Sequence, residues 1–368
     1  MKLERVIISG GGTGGHIFPA IAIADEIKRR NPDVHILFVG AIGKMEMEKV
    51  PAAGYKIEGL TIAGFQRKLT FSNFLLPFKI VKSLLKARSI LMKFKPQVVV
   101  GVGGYASGPT LKAATMLGIP TLVQEQNSFP GKTNKLLSRN VNKLCTAYDG
   151  LERFFPKEKI VLTGNPVRSE MVKIEGKREE AFNYYGLDSQ KPTILVIGGS
   201  LGARTLNQSM MNHYELLKER GVQVLWQSGK LYFEGLKEEL SGKESNEIKL
   251  VQFIDRMDLA YAMADVIISR AGAISVSELC LVKKPVILVP SPNVAEDHQT
   301  HNAMALVKKD SALLVKDVDA KEELIPQALE LLGNAEKRSM LSGEIAKLAK
   351  PEATEHIVNE LEKIARSI

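Results

Sequence analysis

The sequence predicts an α/β protein built from two doubly wound, parallel-sheet domains of Rossmann-like form that face each other across a cleft. Three observations predict it. Short, almost continuously apolar strands alternate with helical patterns from one end of the chain to the other. They fall into two series, separated by a polar, proline-bounded stretch. Each series opens in the same way, with a strand running into a glycine-rich loop and then a helix. Strands that are apolar on both faces belong to parallel sheets covered by helices on either side. Such sheets bind ligands beyond the carboxyl ends of their strands.

The first series of strands is expected at 5–9, 34–39, 56–60, 97–101, 120–123, 143–147 and 159–162, and the second at 193–198, 222–226, 248–252, 265–269, 286–290 and 312–315. The stretch "TGNPVRSEMVKIEGKREEAFNYYGLDSQKP" lies between them and places the junction near Thr163–Arg168. The expected domains are therefore 1–165 and 166–345. The tail 346–368 forms an amphipathic helix, with Pro351 near its start, that packs back on the first domain. With 368 residues, 45% hydrophobic and 25% charged, the composition is that of an ordinary globular chain. Glu4 interrupts any signal-peptide pattern in "MKLERVIISG", and no apolar run approaches the ~18–20 residues that span a bilayer. Cys145 and Cys280, far apart and in apolar contexts, are expected to be buried thiols of a cytoplasmic protein.

The first loop, "SGGGTGGHIFPA", is the densest glycine cluster in the chain. Gly10-x-Gly12-x-x-Gly15 formally matches a dinucleotide fingerprint. That fingerprint needs an acidic residue at the end of the second strand to hold a ribose, and this strand ends in Gly40-Ala41. A P-loop is excluded because no Lys-Ser/Thr pair follows the glycines. What is left is an anion cradle of exposed backbone N–H groups at a helix N-terminus. His16 sits at the entrance of that helix, with Pro19 expected in the first turn. A helix N-terminus disfavours the imidazolium, so His16 is expected to be neutral near pH 7 and able to accept a proton. Two further loops follow strands of the same domain: "GVGGYASGPT", and "QEQNSFPGKTN" with Glu125 and Asn127 as its polar candidates.

In the second half, "VIISRAGAISVSELC" is a strand, a glycine turn and a helix. Glu278, about one turn into that helix, could take two hydroxyls of a ribose diol. "PNVAEDHQTHNA" concentrates Asp297, His298, Gln299, His301 and Asn302. The spacing of the two histidines and the lack of a third good ligand argue against a metal. Asp317-Val318-Asp319 resembles an acidic metal pair, but helix capping at a strand-to-helix transition accounts for it. No metal and no cofactor are expected.

The net charge is +9, and its location matters more than its size. From Gly59 to Gln124 there is no Asp or Glu, while the same window holds Arg67, Lys68, Lys79, Lys82, Lys86, Arg88, Lys93, Lys95 and Lys112, which equal the whole net charge. A helix from about Pro77 would bury the stripe Ile80, Leu84, Ala87, Leu91 and Phe94, with Lys79, Lys82, Lys86 and Lys93 on another face. Phe71, Phe74 and Leu75 precede it. Basic and apolar surface together point to an anionic membrane. No nucleic-acid motif is present, so nucleic acid is not the expected partner.

Taken in order, "GGTGGHIFPA", "GVGGYASGP", "QEQNSFPGKTNK", "TGNPVR", "GGSLGARTLN", "FIDRM" and "SRAGAISVSEL" closely resemble the MurG family of bacterial glycosyltransferases. The resemblance runs over nearly the whole chain. It implies the GT-B fold and inverting transfer of N-acetylglucosamine from UDP-N-acetylglucosamine to the 4-hydroxyl of undecaprenyl-pyrophosphoryl-N-acetylmuramyl-pentapeptide, converting lipid I to lipid II. It implies His16 as the general base, and UDP-N-acetylglucosamine held by Thr13, Gly14, Gly15, Asn127, Arg168, Ser200, Ile254, Ala273, Ile274, Ser275, Val276, Ser277, Glu278 and Gln299. Within that set Ser200 would meet the diphosphate at a helix start, and Ile254 the uracil through its backbone. Gly103, Gly104, Tyr105 and Glu125 are candidates on the acceptor side. Some relatives carry two glutamines where this chain has His298-Gln299, so only Gln299 is carried over. The family also implies docking on the cytoplasmic face of the plasma membrane, with cell-wall or division proteins as further partners. Two alternatives are a UDP-N-acetylglucosamine 2-epimerase, which shares fold and donor but needs no lipid, and a nucleotide-sugar sensor without turnover.

Overall fold

The computed structural model describes residues 2–62 and 76–365. The chain divides into two compact units, 1–167 with 352–368, and 168–351.

The first unit holds a seven-stranded parallel sheet in the order β3-β2-β1-β4-β5-β6-β7. Its strands are β1 (Arg5–Ser9), β2 (His35–Ala41), β3 (Lys56–Leu60), β4 (Val98–Gly101), β5 (Thr121–Glu125), β6 (Lys143–Thr146) and β7 (Ile160–Leu162). β1 is central and apolar on both faces because both faces are covered. Val6 and Ile8 point one way, into a core with Ile17, Ile23 and Ile27 of the helix Gly14–Arg30. Ile7 points the other way, into a core with Val99, Leu111 and Leu144. The strand period of two thus feeds two cores from one strand.

The helix Ala353–Ile364 completes the first core with Ile357, Val358 and Leu361. Arg30 fixes its seat: the guanidinium bonds Glu26 at 2.7 Å, Asn359 Oδ1 at 2.7 Å and Glu362 at 3.2 Å. The tail of the sequence therefore folds into the first unit, although the second lies between them in the chain.

The second unit holds a six-stranded parallel sheet in the order β10-β9-β8-β11-β12-β13. These strands are β8 (Thr193–Ile197), β9 (Gln223–Gln227), β10 (Ile248–Val251), β11 (Val266–Ser269), β12 (Val286–Leu288) and β13 (Leu313–Leu314). Trp226 is fully buried in this core. Its indole N–H finds a partner in Asn207 Oδ1 at 2.9 Å, which a buried tryptophan needs.

Two local expectations are corrected. Pro19 falls in the second turn of the helix Gly14–Arg30, not the first. In the helix Leu76–Phe94 the buried face carries Ser83, Ala87, Ile90 and Leu91, whereas Ile80 is 44% exposed. Two bonds to the end of β3 set that face: Ser83 Oγ donates to the Thr61 carbonyl at 3.2 Å, and Lys86 Nζ to the Gly59 carbonyl at 2.6 Å. Phe78, Val81 and Leu85 are exposed and, with Lys82, line a shallow recess. Phe71, Phe74 and Leu75 lie outside the described residues.

Candidate functional site

At the carboxyl end of β1 the first glycine loop does not present the row of exposed N–H donors that the sequence suggests. Gly10 N–H goes to the Val39 carbonyl at 3.3 Å, and Gly11 N–H to the Gly103 carbonyl at 3.3 Å. Gly12 N–H goes to a carboxylate, Glu46 Oε2, at 2.7 Å. The other oxygen of Glu46 accepts from Ala41 N–H at 3.0 Å. Glu46 is the first residue of the helix Glu46–Ala52 and is 1% exposed. The anion in the cradle is the chain's own, and the donors left for a ligand are those of the helix start at Thr13, Gly14 and Gly15.

Glu46 is not among the residues that the sequence singles out. The end of β2, where a ribose-holding acid would stand, carries Gly40 and Ala41; the acid comes five residues later and reaches back. The bareness of the strand end was the available signal. A Cβ on Gly40 would lie 2.6 Å from Glu46 Cγ, and one on Gly11 2.1 Å from Glu46 Cδ.

His16 is half-buried, and its Nδ1 lies 3.0 Å from the Gly11 carbonyl and 3.3 Å from Thr13 Oγ1. A carbonyl only accepts, so the proton of the neutral ring is on Nδ1 and the lone pair on Nε2. The second glycine loop packs against this ring. A Cβ on Gly103 (φ +94°) would lie 2.8 Å from His16 Nε2, and one on Gly104 (φ +86°) 2.3 Å from the Gly11 carbonyl oxygen. Residue 105 continues that loop as a 47% exposed tyrosine.

Glu125 is 1% exposed and turned inward. Its carboxylate accepts from Asn127 N–H at 3.0 Å, Asn127 Nδ2 at 3.3 Å, Gly131 N–H at 3.2 Å and Asn134 Nδ2 at 2.7 Å. Burial pushes its pKa up, against those bonds. Its geometry is that of a scaffold for the loop carrying Asn127, not of a group facing an acceptor. Beside it, Gln124 donates to Asn165 Oδ1 at 2.9 Å, and Asn165 donates back to the Gln126 carbonyl at 3.0 Å. This ties "QEQN" to "TGN", a buried pairing with no signal in sequence spacing.

In the second unit the loop after β8 is closed by glycines. A Cβ on Gly202 (φ +93°) would lie 2.1 Å from the Ser228 carbonyl oxygen. The helix that follows is Arg204–Asn212, so Ser200 lies in the loop, four residues before the helix start expected for it. Ile254 is 2% exposed and its N–H is taken by Gln227 Oε1 at 2.9 Å, which leaves only its carbonyl for a base edge. The helix Ala273–Val282 begins after Gly272, so Ala273, Ile274 and Ser275 supply its first-turn N–H groups; Val276, Ser277 and Glu278 follow.

Glu278 accepts from the Tyr261 hydroxyl at 3.2 Å. Burial pushes its pKa up to about 7, opposed by the Arg168 guanidinium and by that hydroxyl. Arg168 is the first residue of this unit. Gln299 Oε1 accepts from Ser291 N–H at 2.9 Å, which fixes its amide against the segment 291–297 that precedes its helix. Glu296 (φ +57°) and Asp297 (φ +49°) in that loop are both left-handed, a strained geometry for side chains of this size.

The acidic pair is corrected in its role. Asp319 stands at the N-cap of Ala320–Gly333 but makes no side-chain cap bond. Asp317 instead pairs with Arg270 at 2.5 Å and accepts from Thr205 Oγ1 at 2.9 Å. Arg270 also donates to the Val289 carbonyl at 3.0 Å, so this cluster holds the loop before Ala273. Among the described residues, no group of three or more His, Cys, Asp or Glu side chains is arranged to hold a metal ion.

Comparison with known proteins gives both halves the same origin. Residues 6–146 match the N-terminal domain, and residues 193–357 the C-terminal domain, of glycosyltransferase family 28. The chain is 56% identical, over all of its length and 99% of the relative's, to a UDP-N-acetylglucosamine–N-acetylmuramyl-(pentapeptide) pyrophosphoryl-undecaprenol N-acetylglucosamine transferase of Flavobacterium psychrophilum. The crystal structure of Acinetobacter baumannii MurG is similar with a TM-score of 0.78 at 29% identity, covering 98% of this chain and 99% of that one. A UDP-N-acetylglucosamine 2-epimerase of Neisseria meningitidis, bound to UDP-N-acetylglucosamine, shares the fold at 15% identity with a TM-score of 0.67, covering 98% of this chain and 100% of its own.

Proposed function

The chain belongs to the MurG family of glycosyltransferases, and from that membership we propose that it transfers N-acetylglucosamine from UDP-N-acetylglucosamine to undecaprenyl-pyrophosphoryl-N-acetylmuramyl-pentapeptide, making lipid II from lipid I. The observation that carries this is 56% identity to a transferase of that name along the whole chain. The epimerase is a distant neighbour in fold only.

The acceptor is assigned to the first unit. His16, with its lone pair on Nε2, takes the proton of the acceptor sugar's 4-hydroxyl as that oxygen attacks the anomeric carbon. The bond from that carbon to the diphosphate breaks with inversion, and UDP leaves with the electron pair. The N–H groups of the helix start at Thr13, Gly14 and Gly15, with Asn127, are assigned to UDP-N-acetylglucosamine, and such N–H groups favour anionic oxygen. Gly103 and Gly104 let the loops approach, Tyr105 offers an exposed ring, and Asn127 stands on a loop shaped by Glu125.

The rest of the donor is assigned to the second unit: Glu278 to the ribose diol, the Ile254 carbonyl to uracil, Gln299 to the sugar hydroxyls. The start of the helix Ala273–Val282, Ser200 and Arg168 are assigned to the departing diphosphate. The exposed Phe78, Val81, Leu85 and Lys82, with Lys79 beside them, support docking on an anionic membrane surface, the cytoplasmic face in which the acceptor's lipid would sit.

The test is transfer of label from UDP-N-acetylglucosamine to lipid-linked muramyl-pentapeptide with EDTA present. Label in the lipid supports the transferase. Donor binding without transfer sinks it, and release of free UDP without acceptor brings the epimerase forward. His16→Ala should lower kcat by about 10²–10⁴-fold with UDP binding intact.

A further inference from the structure

We propose that Glu46 is a positioning residue for His16 and acts through the single peptide group that joins Gly11 to Gly12. The N–H and C=O of one trans peptide point in opposite directions. Here the N–H, on Gly12, donates to Glu46 Oε2 at 2.7 Å, and the C=O, on Gly11, accepts from His16 Nδ1 at 3.0 Å. A carboxylate and an imidazole thus grip the two ends of the same amide.

The consequence is chemical. A charge-assisted bond to the N–H polarises the amide and makes its carbonyl a better acceptor. The better acceptor holds the proton on Nδ1 and keeps the lone pair on Nε2. A carboxylate bonded directly to a catalytic histidine does this in hydrolases; here one amide is inserted between the two. The other oxygen of Glu46, bonded to Ala41 N–H at the end of β2, keeps the carboxylate from turning away.

The glycines fit this arrangement link by link. Gly11 carries no Cβ where Glu46 Cδ stands, Gly104 none where the Gly11 carbonyl points, and Gly103 none where Nε2 lies. A tight turn alone would not require all three. Gly12 needs its bare Cα for another reason, a φ of +89°.

This role rests on the assignment of His16 as the base, and the experiment separates the two. The ring nitrogens of His16 are observed by ¹⁵N NMR in the full-length protein, the signal being identified by its loss in His16→Ala. Wild type is expected to show the neutral Nδ1–H form. Glu46→Gln removes the charge and keeps one acceptor oxygen, for Gly12 N–H, while its NH2 group faces Ala41 N–H. It is expected to give a mixture of tautomers and to lower kcat about tenfold, with KM for UDP-N-acetylglucosamine within about twofold. A purely structural role would not move the ring signals.

A neutral wild-type His16 in the Nε2–H form overturns the proposal, and so does a Glu46→Gln variant with unchanged ring signals, whatever its kcat. If Glu46→Gln does not fold, Glu46→Asp replaces it: the shorter carboxylate should disturb the same ring signals, and unchanged signals overturn the proposal. If Glu46→Gln alters the ring but His16→Ala turns over like wild type, positioning by Glu46 stands and the base assignment falls. If His16→Ala is inactive while Glu46→Gln is silent in both readouts, the base stands and Glu46 falls.

Discussion

Raising the pH from 6 to 8 should tighten UDP binding about tenfold, with Glu278 as the cause. Its carboxyl titrates near 7 because burial outweighs the favourable effects of Arg168 and the Tyr261 hydroxyl. Only the carboxylate can accept from both hydroxyls of a ribose diol. With a pKa near 7, about a tenth of the sites are ionised at pH 6 and about nine-tenths at pH 8. Apparent affinity scales with the competent fraction, which gives the factor of about ten. Binding at pH 7 should also release about half a proton. Titration calorimetry of UDP in buffers of different ionisation enthalpy reads both quantities. UDP titrates in the same range, so Glu278→Gln is the reference: it should bind more weakly and lose the part of the pH slope and proton release that belongs to the protein. Equal slopes in wild type and Glu278→Gln would refute the assignment. Stability gives an independent sign. A raised folded-state pKa means the folded form holds the proton longer, so stability is lost as pH rises from about 4.5 towards 7. Ligand-free Glu278→Gln should therefore gain stability over wild type at pH 8 and little at pH 4.

Three further outcomes follow from the structure. Gly104→Ala should lower the stability of the first unit by about 1–3 kcal/mol and abolish transfer, because the new methyl meets the Gly11 carbonyl at 2.3 Å with φ at +86°; thermal unfolding and the transfer assay check it. Asp317→Asn should cost about 3 kcal/mol, since it leaves Arg270, 14% exposed, without its carboxylate; a chemical denaturation curve reads the loss. Lys79→Glu with Lys82→Glu should weaken partition onto anionic vesicles by at least about 2 kcal/mol, roughly 30-fold, and high salt should do the same to wild type. Equal sedimentation of wild type with neutral vesicles would remove the electrostatic explanation.

The sequence determined the architecture because its signals are local and repeated. β1 reads as a strand covered on both faces, and is one, since Val6 and Ile8 feed one core and Ile7 the other. All the expected strands form within two residues of their expected ends, since apolar runs bounded by turn residues leave few alternatives. His16 could be singled out for the same reason: a glycine loop between a strand and a helix puts whatever follows it at a helix N-terminus. Tertiary structure decided what each polar group does. Glu125 and Glu46 are both acids near a strand end, and nothing in their spacing distinguishes a loop scaffold from a partner of the glycine loop. Asp317 spelled a cap with Asp319, yet its charge is spent on Arg270, 47 residues earlier in the chain. Ile80 lost its place in the core to Ser83 because two bonds to the end of β3 rotate the helix. Hydrophobic period is written along the chain, whereas a hydrogen bond needs a partner whose position the whole fold must supply.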